Sequence, residues 1–216
     1  MASSIALLCA GTATAQTVSG FARVVDGDTL DIADHRIRLH GIDSPETGQK
    51  CITRTGRKLR CGVEASDKLN LLIGGQIVRC KGSAYDDHGR LIAVCTTARH
   101  NLNREMVRSG WAVAFKKYSE DFLSEEIEAF KAGRGLWRTR FERPVDYRAK
   151  RWKIAKQVAP AGCPIKGNIS VKTGEKIYHA PWSQWYERTK ITPAKGERWF
   201  CSEGEAIRAG WRPPLR

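Results

Sequence analysis

Hydrophobic and polar residues alternate along residues 24–46 of the chain. Leu30 and Ile32 lie two positions apart, and so do Ile37 and Leu39. A period of two with β-branched residues predicts half-buried β-strands. An Asp-Gly pair before the first strand and a histidine between the two are turn signals. The stretch therefore predicts a β-meander.

The rest of the apolar pattern predicts two more strands and three helices. The predicted strands cover 76–81 and 91–97, and the predicted helices cover 63–73, 101–110 and 119–131. Asn101 and Ser119 are candidate N-caps of the second and third helices. An apolar stripe on the third helix, expected to face the core, consists of Phe122, Leu123, Ile127 and Phe130. Five short strands with interspersed helices predict an α+β fold built on a five-stranded OB-fold β-barrel with three helices.

The charge balance adds a candidate partner. The 216 residues contain 37 Lys and Arg against 23 Asp and Glu, a formal net charge of +14. Such a surplus favours a polyanion, either nucleic acid, anionic lipid or acidic polysaccharide, over a role in solubility alone. The 41% of hydrophobic residues suffices for a buried core.

The N-terminal segment resembles a secretory signal peptide. A short apolar run is followed by a small-x-small pattern, which predicts a leader over 1–15 cut after Ala15. The alternative is a mildly apolar, frayed terminus, while a membrane span is disfavoured because the run is too short. We therefore expect a secreted or periplasmic protein.

Cysteine usage agrees with export. One of the seven cysteines lies in the leader, and the other six allow 15 pairings. Local geometry favours the pairs Cys51–Cys61, Cys80–Cys95 and Cys163–Cys201, the second spanning a hairpin turn symmetrically. The alternative is free buried thiols in a cytosolic protein.

The chain divides at a basic segment. Residues 141–160 are rich in Arg and Lys and bracketed by Pro144 and Pro160, which predicts a linker, in part helical, between a domain over 17–140 and a small module over 161–216. The charge run is either a solvated face or a source of additional phosphate contacts.

The predicted strand ends of the meander carry three acids and one arginine: Asp28, Asp43, Glu46 and Arg38. Asp28 and Asp43 would repel each other unless a cation lies between them, which is the first indication of a metal. The alternatives are a turn cap for Asp28, an exposed loop for Asp43 and Glu46, and a surface position for Arg38. For Arg90 the alternative is a hairpin turn charge.

Four short motifs follow one another along the chain. They read DGDT at 26–29, RLHGIDSPE at 38–46, GVEAS at 62–66 and DHGR at 87–90. Together they resemble the thermonuclease (staphylococcal nuclease-like) family over roughly 18–140 of this chain. The resemblance departs at His88, where many members have tyrosine.

The resemblance implies a role for each matching residue. Asp28, Asp43 and the main-chain carbonyl of Ser44 match calcium ligands, and Glu46 matches the carboxylate that orients or deprotonates the attacking water. The side chains that match the phosphate clamp are Arg38 and Arg90. The residue chemistry agrees, since Ca²⁺ prefers hard oxygen ligands and guanidinium groups bind phosphate oxygens in pairs.

We therefore expect an exported, Ca²⁺-dependent nuclease that hydrolyses DNA and RNA and, as the resemblance implies, leaves 3′-phosphate ends. We expect a monomer without a membrane span. One alternative is a catalytically silent OB module that binds nucleic acid. Another is an accessory protein of envelope or exopolysaccharide (succinoglycan) biosynthesis, although the sequence contains no glycosidase-like pair.

The C-terminal segment carries GERWFCSEGEAIRAGW and resembles a small module called a sunset domain. Cys163, His179 and Cys201 would supply only three ligands to zinc, so a disulfide with a structural histidine is favoured. A group of aromatic residues is either a stacking surface or core: Trp182, Trp185, Tyr186, Trp199 and Trp211.

Overall fold

The computed structural model describes residues 15–117 and 119–214, so the predicted leader, apart from Ala15, lies outside the described residues. The strands are β1 (Gln16–Asp26), β2 (Thr29–Ile32), β3 (His35–Leu39), β4 (Ile42–Asp43), β5 (Cys51–Thr53), β6 (Lys58–Leu59), β7 (Ile77–Tyr85), β8 (Leu91–Thr96), β9 (Val113–Ala114), β10 (Thr139–Arg140), β11 (Ile165–Ile169), β12 (Lys176–His179) and β13 (Arg198–Phe200). The α-helices are α1 (Cys61–Ile73), α2 (Leu102–Arg108), α3 (Leu123–Lys131), α4 (Pro144–Val158) and α5 (Glu203–Arg208).

Five strands close into a barrel in the order β1-β2-β3-β8-β7. β3 and β8 pair in parallel and the other neighbours are antiparallel. β2 and β3 coincide with the predicted alternation, and their apolar residues Leu30, Ile37 and Leu39 are buried in the barrel core. The predicted five-stranded barrel is confirmed.

Three helices pack on the barrel, as predicted, with one difference at the third. Asn101 caps α2 by accepting the backbone N–H of Arg104 at 3.0 Å. Ser119 does not cap α3, because this helix starts only at Leu123 and the Ser119 hydroxyl accepts the backbone N–H of Asp121 instead.

The predicted inward stripe of α3 is only partly correct. Phe122 is buried in the barrel core, whereas Ile127 is 52% exposed and Phe130 is 64% exposed. Phe130 packs edge-on against Trp137, which follows the helix in the chain. The helix starts at Leu123, four residues later than predicted, so Phe122 lies before it, and Ile127 and Phe130 are on its exposed side.

All three predicted disulfides are present: Cys51–Cys61, Cys80–Cys95 and Cys163–Cys201. The first joins β5 to the start of α1, the second joins neighbouring barrel strands, and the third joins the segment before β11 to the residue after β13. The disulfide between Cys163 and Cys201 confirms the favoured prediction over a metal held by these cysteines with His179.

The C-terminal module has its own small core. A three-stranded sheet in the order β12-β11-β13 packs with α5 around Ile165, Phe200 and Trp211. α4 occupies most of the predicted linker. In residues 15–117 and 119–214, no helix combines the length and the apolar character that crossing a membrane requires.

Candidate active site at the barrel mouth

Two buried aspartates lie together where the meander strands end. Asp28 precedes β2 and is 2% exposed, while Asp43 ends β4 and is fully buried. The second carboxylate oxygen of Asp28 accepts the backbone N–H of Ser44 at 2.8 Å, which ties the two strand ends together. The turn before Asp28 needs Gly27, because a Cβ there would lie 2.0 Å from the Ser44 hydroxyl oxygen.

Arg38 bridges the two aspartates. It lies on β3 opposite Thr29, the neighbour of Asp28. Its guanidinium lies 2.9 Å from Asp28 Oδ1 and 3.1 Å from Asp43 Oδ1. One guanidinium between two carboxylates leaves the group with a net negative charge.

Glu46 lies beside this pair, in the loop after β4. Its backbone carbonyl accepts the N–H of Gln49 at 2.7 Å, which closes a tight turn. α1 packs directly on this turn, because a Cβ at Gly62 would lie 1.8 Å from the carbonyl oxygen of Glu46. Helix and barrel together therefore hold the Glu46 backbone in place.

Arg148 binds the acidic cluster, which we define as Asp26, Asp28, Asp43 and Glu46. From α4 its guanidinium reaches both carboxylate oxygens of Asp43, at 3.0 and 3.2 Å, and Glu46 Oε1 at 2.8 Å. The sequence placed this residue in a basic run without distinguishing it from its neighbours. Only the path of α4 across the barrel mouth brings it to the cluster.

Arg90 lies in the turn between β7 and β8. Its Nε donates to Asp86 Oδ2 at 2.7 Å, and Asp86 Oδ1 also accepts the Arg90 backbone N–H at 3.0 Å. The guanidinium is thus held by Asp86 and lines the same cleft as Arg38 and Glu46. Of the six predicted site residues, the structure brings Asp28, Arg38, Asp43, Ser44 and Glu46 into one cluster and places Arg90 on the wall beside it.

Burial and neighbouring charges separate the pKa values of the four acids. Burial raises the pKa of Glu46 to about 8, although Arg148 opposes the rise. Burial and the charge of Asp28 raise the pKa of Asp26 to about 6. Burial also raises the pKa of Asp43. For Asp28, burial is outweighed by Arg38 and the Ser44 N–H, so its pKa is lowered.

The cluster opens into a cleft of about 1350 Å³ between the barrel and the C-terminal module. The barrel side carries Arg36, Arg38 and Arg90, and the module side carries Trp182 and Trp185. The backbones approach closely here, since a Cβ at residue 48 would lie 2.7 Å from the carbonyl oxygen of Trp182. The combination of cationic groups and aromatic rings suits a polyanion with planar groups.

The aromatic residues of the module divide between the two expected roles. Tyr186 and Trp211 are buried and serve as core, whereas Trp185 is 41% exposed. His179 is structural, with its Nε2 2.9 Å from Asn168 Oδ1.

The donor set at the mouth fits a hard cation. In the described part of the chain, no three side chains of His, Cys, Asp or Glu are arranged as metal ligands. A cation here would therefore depend on the carboxylates of Asp28 and Asp43 with main-chain oxygen and water, a donor set that Ca²⁺ accepts. Both carboxylates already bind guanidinium cations, which shows that the cluster attracts positive charge.

Comparison with known proteins adds a family context. A family model described as staphylococcal nuclease homologue matches residues 36–139, and one described as ArfC matches residues 152–213. A succinoglycan biosynthesis protein, ExoI, of Rhizobium meliloti is 33% identical over 131 residues, covering 59% of this chain and 69% of that protein. An uncharacterized endonuclease of Escherichia coli is 33% identical over 122 residues, covering 53% and 73%. A micrococcal nuclease of Shigella flexneri is 29% identical over 154 residues, covering 63% and 83%.

Proposed function

Because the chain belongs to the family of staphylococcal nuclease homologues, we propose that it is a nuclease whose barrel mouth hydrolyses the phosphodiester bonds of DNA and RNA with Ca²⁺ as cofactor. The observation that carries the proposal is that two buried aspartates contact Arg38, which lines one cleft together with Glu46 and Arg90. Each group alone has a structural explanation, but their joint position at one cleft is better explained by chemistry on one anion.

Arg38 and Arg90 bind the scissile phosphate. Guanidinium groups pair with phosphate oxygens and follow the charge that develops on them as the attacking oxygen adds. Asp86 holds the Arg90 guanidinium, so it is oriented before the substrate arrives. Losing one such clamp typically slows the chemical step by about 10²–10³-fold.

Glu46 acts as the general base. It takes a proton from the attacking water, whose oxygen bonds to phosphorus while the bond from phosphorus to the 5′-oxygen breaks. The products are a 3′-phosphate and a 5′-hydroxyl, whose oxygen takes up a proton. A carboxylate with a pKa raised to about 8 by burial suits this role, because a base works best when its pKa is near the operating pH.

Asp28, Asp43 and the main-chain carbonyl of Ser44 hold the cation. When bound, Ca²⁺ supplies Lewis-acid polarisation of a phosphoryl oxygen. Base preference is weak and both DNA and RNA are substrates, since the proposed contacts are to phosphate.

We propose export for the protein, supported by three disulfides, which persist in oxidising compartments. In this scheme a leader over 1–15 precedes a monomeric nuclease domain over 17–140. The helical segment 141–160 connects it to a sunset-like module over 161–216. A polysaccharide role is supported only by the name of the Rhizobium relative.

The test is digestion of plasmid, single-stranded DNA and RNA with Ca²⁺ or with EGTA. We expect fragments only with Ca²⁺, and Glu46→Gln should bind the strands while losing most turnover. Glu64→Gln is the matched control, because Glu64 is exposed on the neighbouring α1. Binding without shortening by the wild type would identify a silent binding module and contradict the proposal.

A further inference from the structure

Arg148 uses the same oxygens that the proposed cation site needs. Its Nη1 and Nη2 donate hydrogen bonds to the two carboxylate oxygens of Asp43, and Nη1 also donates to Glu46 Oε1. The three contacts measure between 2.8 and 3.2 Å, and the Arg148 side chain is 20% exposed. Charge-assisted pairs of this length and burial are among the strong hydrogen bonds in proteins.

α4 is anchored on both sides of Arg148. Before it, the carbonyl of Glu142 accepts the side-chain N–H of Gln49 at 2.7 Å. After it, Arg151 Nε donates to the carbonyl of Pro181 at 3.0 Å, and Trp152 packs on the module. The helix therefore presents the guanidinium at a fixed place over the cluster.

This residue lies outside both matched family segments, which cover 36–139 and 152–213. It lies on α4, the helix between the two matched segments. A guanidinium and a divalent cation on the same carboxylate repel each other, since both are positive and only a few ångströms would separate them. Both cannot keep their full set of contacts with Asp43.

We propose that Arg148 is an intramolecular competitor for the divalent cation, so that cation binding at Asp43 requires the guanidinium to leave Asp43 and Glu46. The inference rests on the cation site of the proposed function. Its consequence is that α4 lowers the affinity of the nuclease site for the cation. If Arg148 instead orients the carboxylates for the cation, replacing it should weaken Ca²⁺ binding.

The experiment measures the dissociation constant of Ca²⁺ by titration calorimetry on the full chain. Arg148→Gln should bind Ca²⁺ about 10- to 100-fold more tightly than the wild type, because hydrogen bonds between charged groups no longer have to be broken. Arg148→Lys keeps the charge but loses the paired geometry, so its affinity should lie in between. The thermal midpoint should rise more with Ca²⁺ in Arg148→Gln than in the wild type.

Two variants serve as references. Lys150→Gln removes one positive charge from the same helix at a side chain that is 64% exposed, and should stay within about twofold of the wild type. Asp43→Asn should lose Ca²⁺ binding. If Arg148→Gln does not fold, Arg148→Lys is the deciding variant.

The outcomes separate the inference from the proposed function. Unchanged or weaker Ca²⁺ binding in the Arg148 variants, with binding still lost in Asp43→Asn, overturns the competition alone. Absence of Ca²⁺ binding in every protein, or full binding in Asp43→Asn, overturns the cation site as well.

Discussion

Replacing Arg38 with methionine should destabilise the protein strongly, because it leaves two buried carboxylates without their shared partner. The guanidinium lies 2.9 Å from Asp28 and 3.1 Å from Asp43. At an effective dielectric constant near 20, each contact contributes roughly 5 kcal/mol of gross Coulomb energy. The desolvation of Arg38 offsets part of this, so we expect a net loss of about 3–5 kcal/mol in the free energy of unfolding.

The assay is urea denaturation followed by circular dichroism, in EGTA and again with excess Ca²⁺. A loss of this size should lower the thermal midpoint by about 6–20 °C. If the cluster binds the cation, Ca²⁺ should restore part of the loss in Arg38→Met, by about 2.7 kcal/mol at a concentration of 100 times the dissociation constant.

Arg79→Met is the control for the loss of one arginine. Arg79 is exposed on β7, so its replacement should change the free energy of unfolding by no more than about 0.5 kcal/mol. A loss below about 1 kcal/mol in Arg38→Met would refute the reasoning, since Arg38, Asp28 and Asp43 would then not form a buried charge network.

Three further predictions concern the loop, the module and the barrel. Gly62→Ala should lower turnover at least tenfold in single-turnover kinetics, because its Cβ would displace the Glu46 carbonyl from 1.8 Å away; unchanged turnover would show that this turn does not position Glu46. His179 is buried with its pKa lowered to about 4 by that burial, so the unfolded chain takes up its proton first as the pH falls. His179→Gln should therefore show a smaller loss of stability between pH 6.5 and pH 4 in urea melts, by up to about 3 kcal/mol, while His35→Gln, at an exposed site, should match the wild type. Removing the Cys80–Cys95 disulfide by a double alanine substitution should cost about 3 kcal/mol, as expected for a 15-residue loop, and a loss under 1 kcal/mol by urea melt would contradict that role.

The barrel could be predicted because its signals are local. The alternation of Leu30, Ile32, Ile37 and Leu39 marks two strands, and their antiparallel pairing follows from the short turn between them. The disulfide of Cys80 and Cys95 was predictable for the same reason, since the two residues are equidistant from one turn.

The acidic cluster was predictable only in part. Motifs indicated Asp28, Arg38, Asp43 and Glu46, but the pKa of Asp26 depends on burial that no sequence pattern reports. Arg148 was missed because it lies 105 positions from Asp43 and in a run of similar residues. Only the docking of α4 on the barrel distinguishes it.

The predicted start of α3 lies too early because Ser119 has the properties of an N-cap but precedes the helix by four residues. Its hydroxyl accepts the N–H of Asp121 in a turn that precedes the helix. Serine favours such turns as readily as helix caps, so propensity alone could not decide between them.

The central claim, that Glu46 and Arg90 act on one phosphate at one site, is tested most directly by a double-mutant cycle on the single-turnover cleavage rate. The assay uses an end-labelled single-stranded oligonucleotide with saturating enzyme and Ca²⁺. We predict that Glu46→Gln and Arg90→Lys each slow cleavage at least 100-fold, and that the double variant loses clearly less than the product of the two losses, because groups that act as a unit are not additive. A rate within threefold of the wild type for either single variant, or losses that multiply in full, would contradict it.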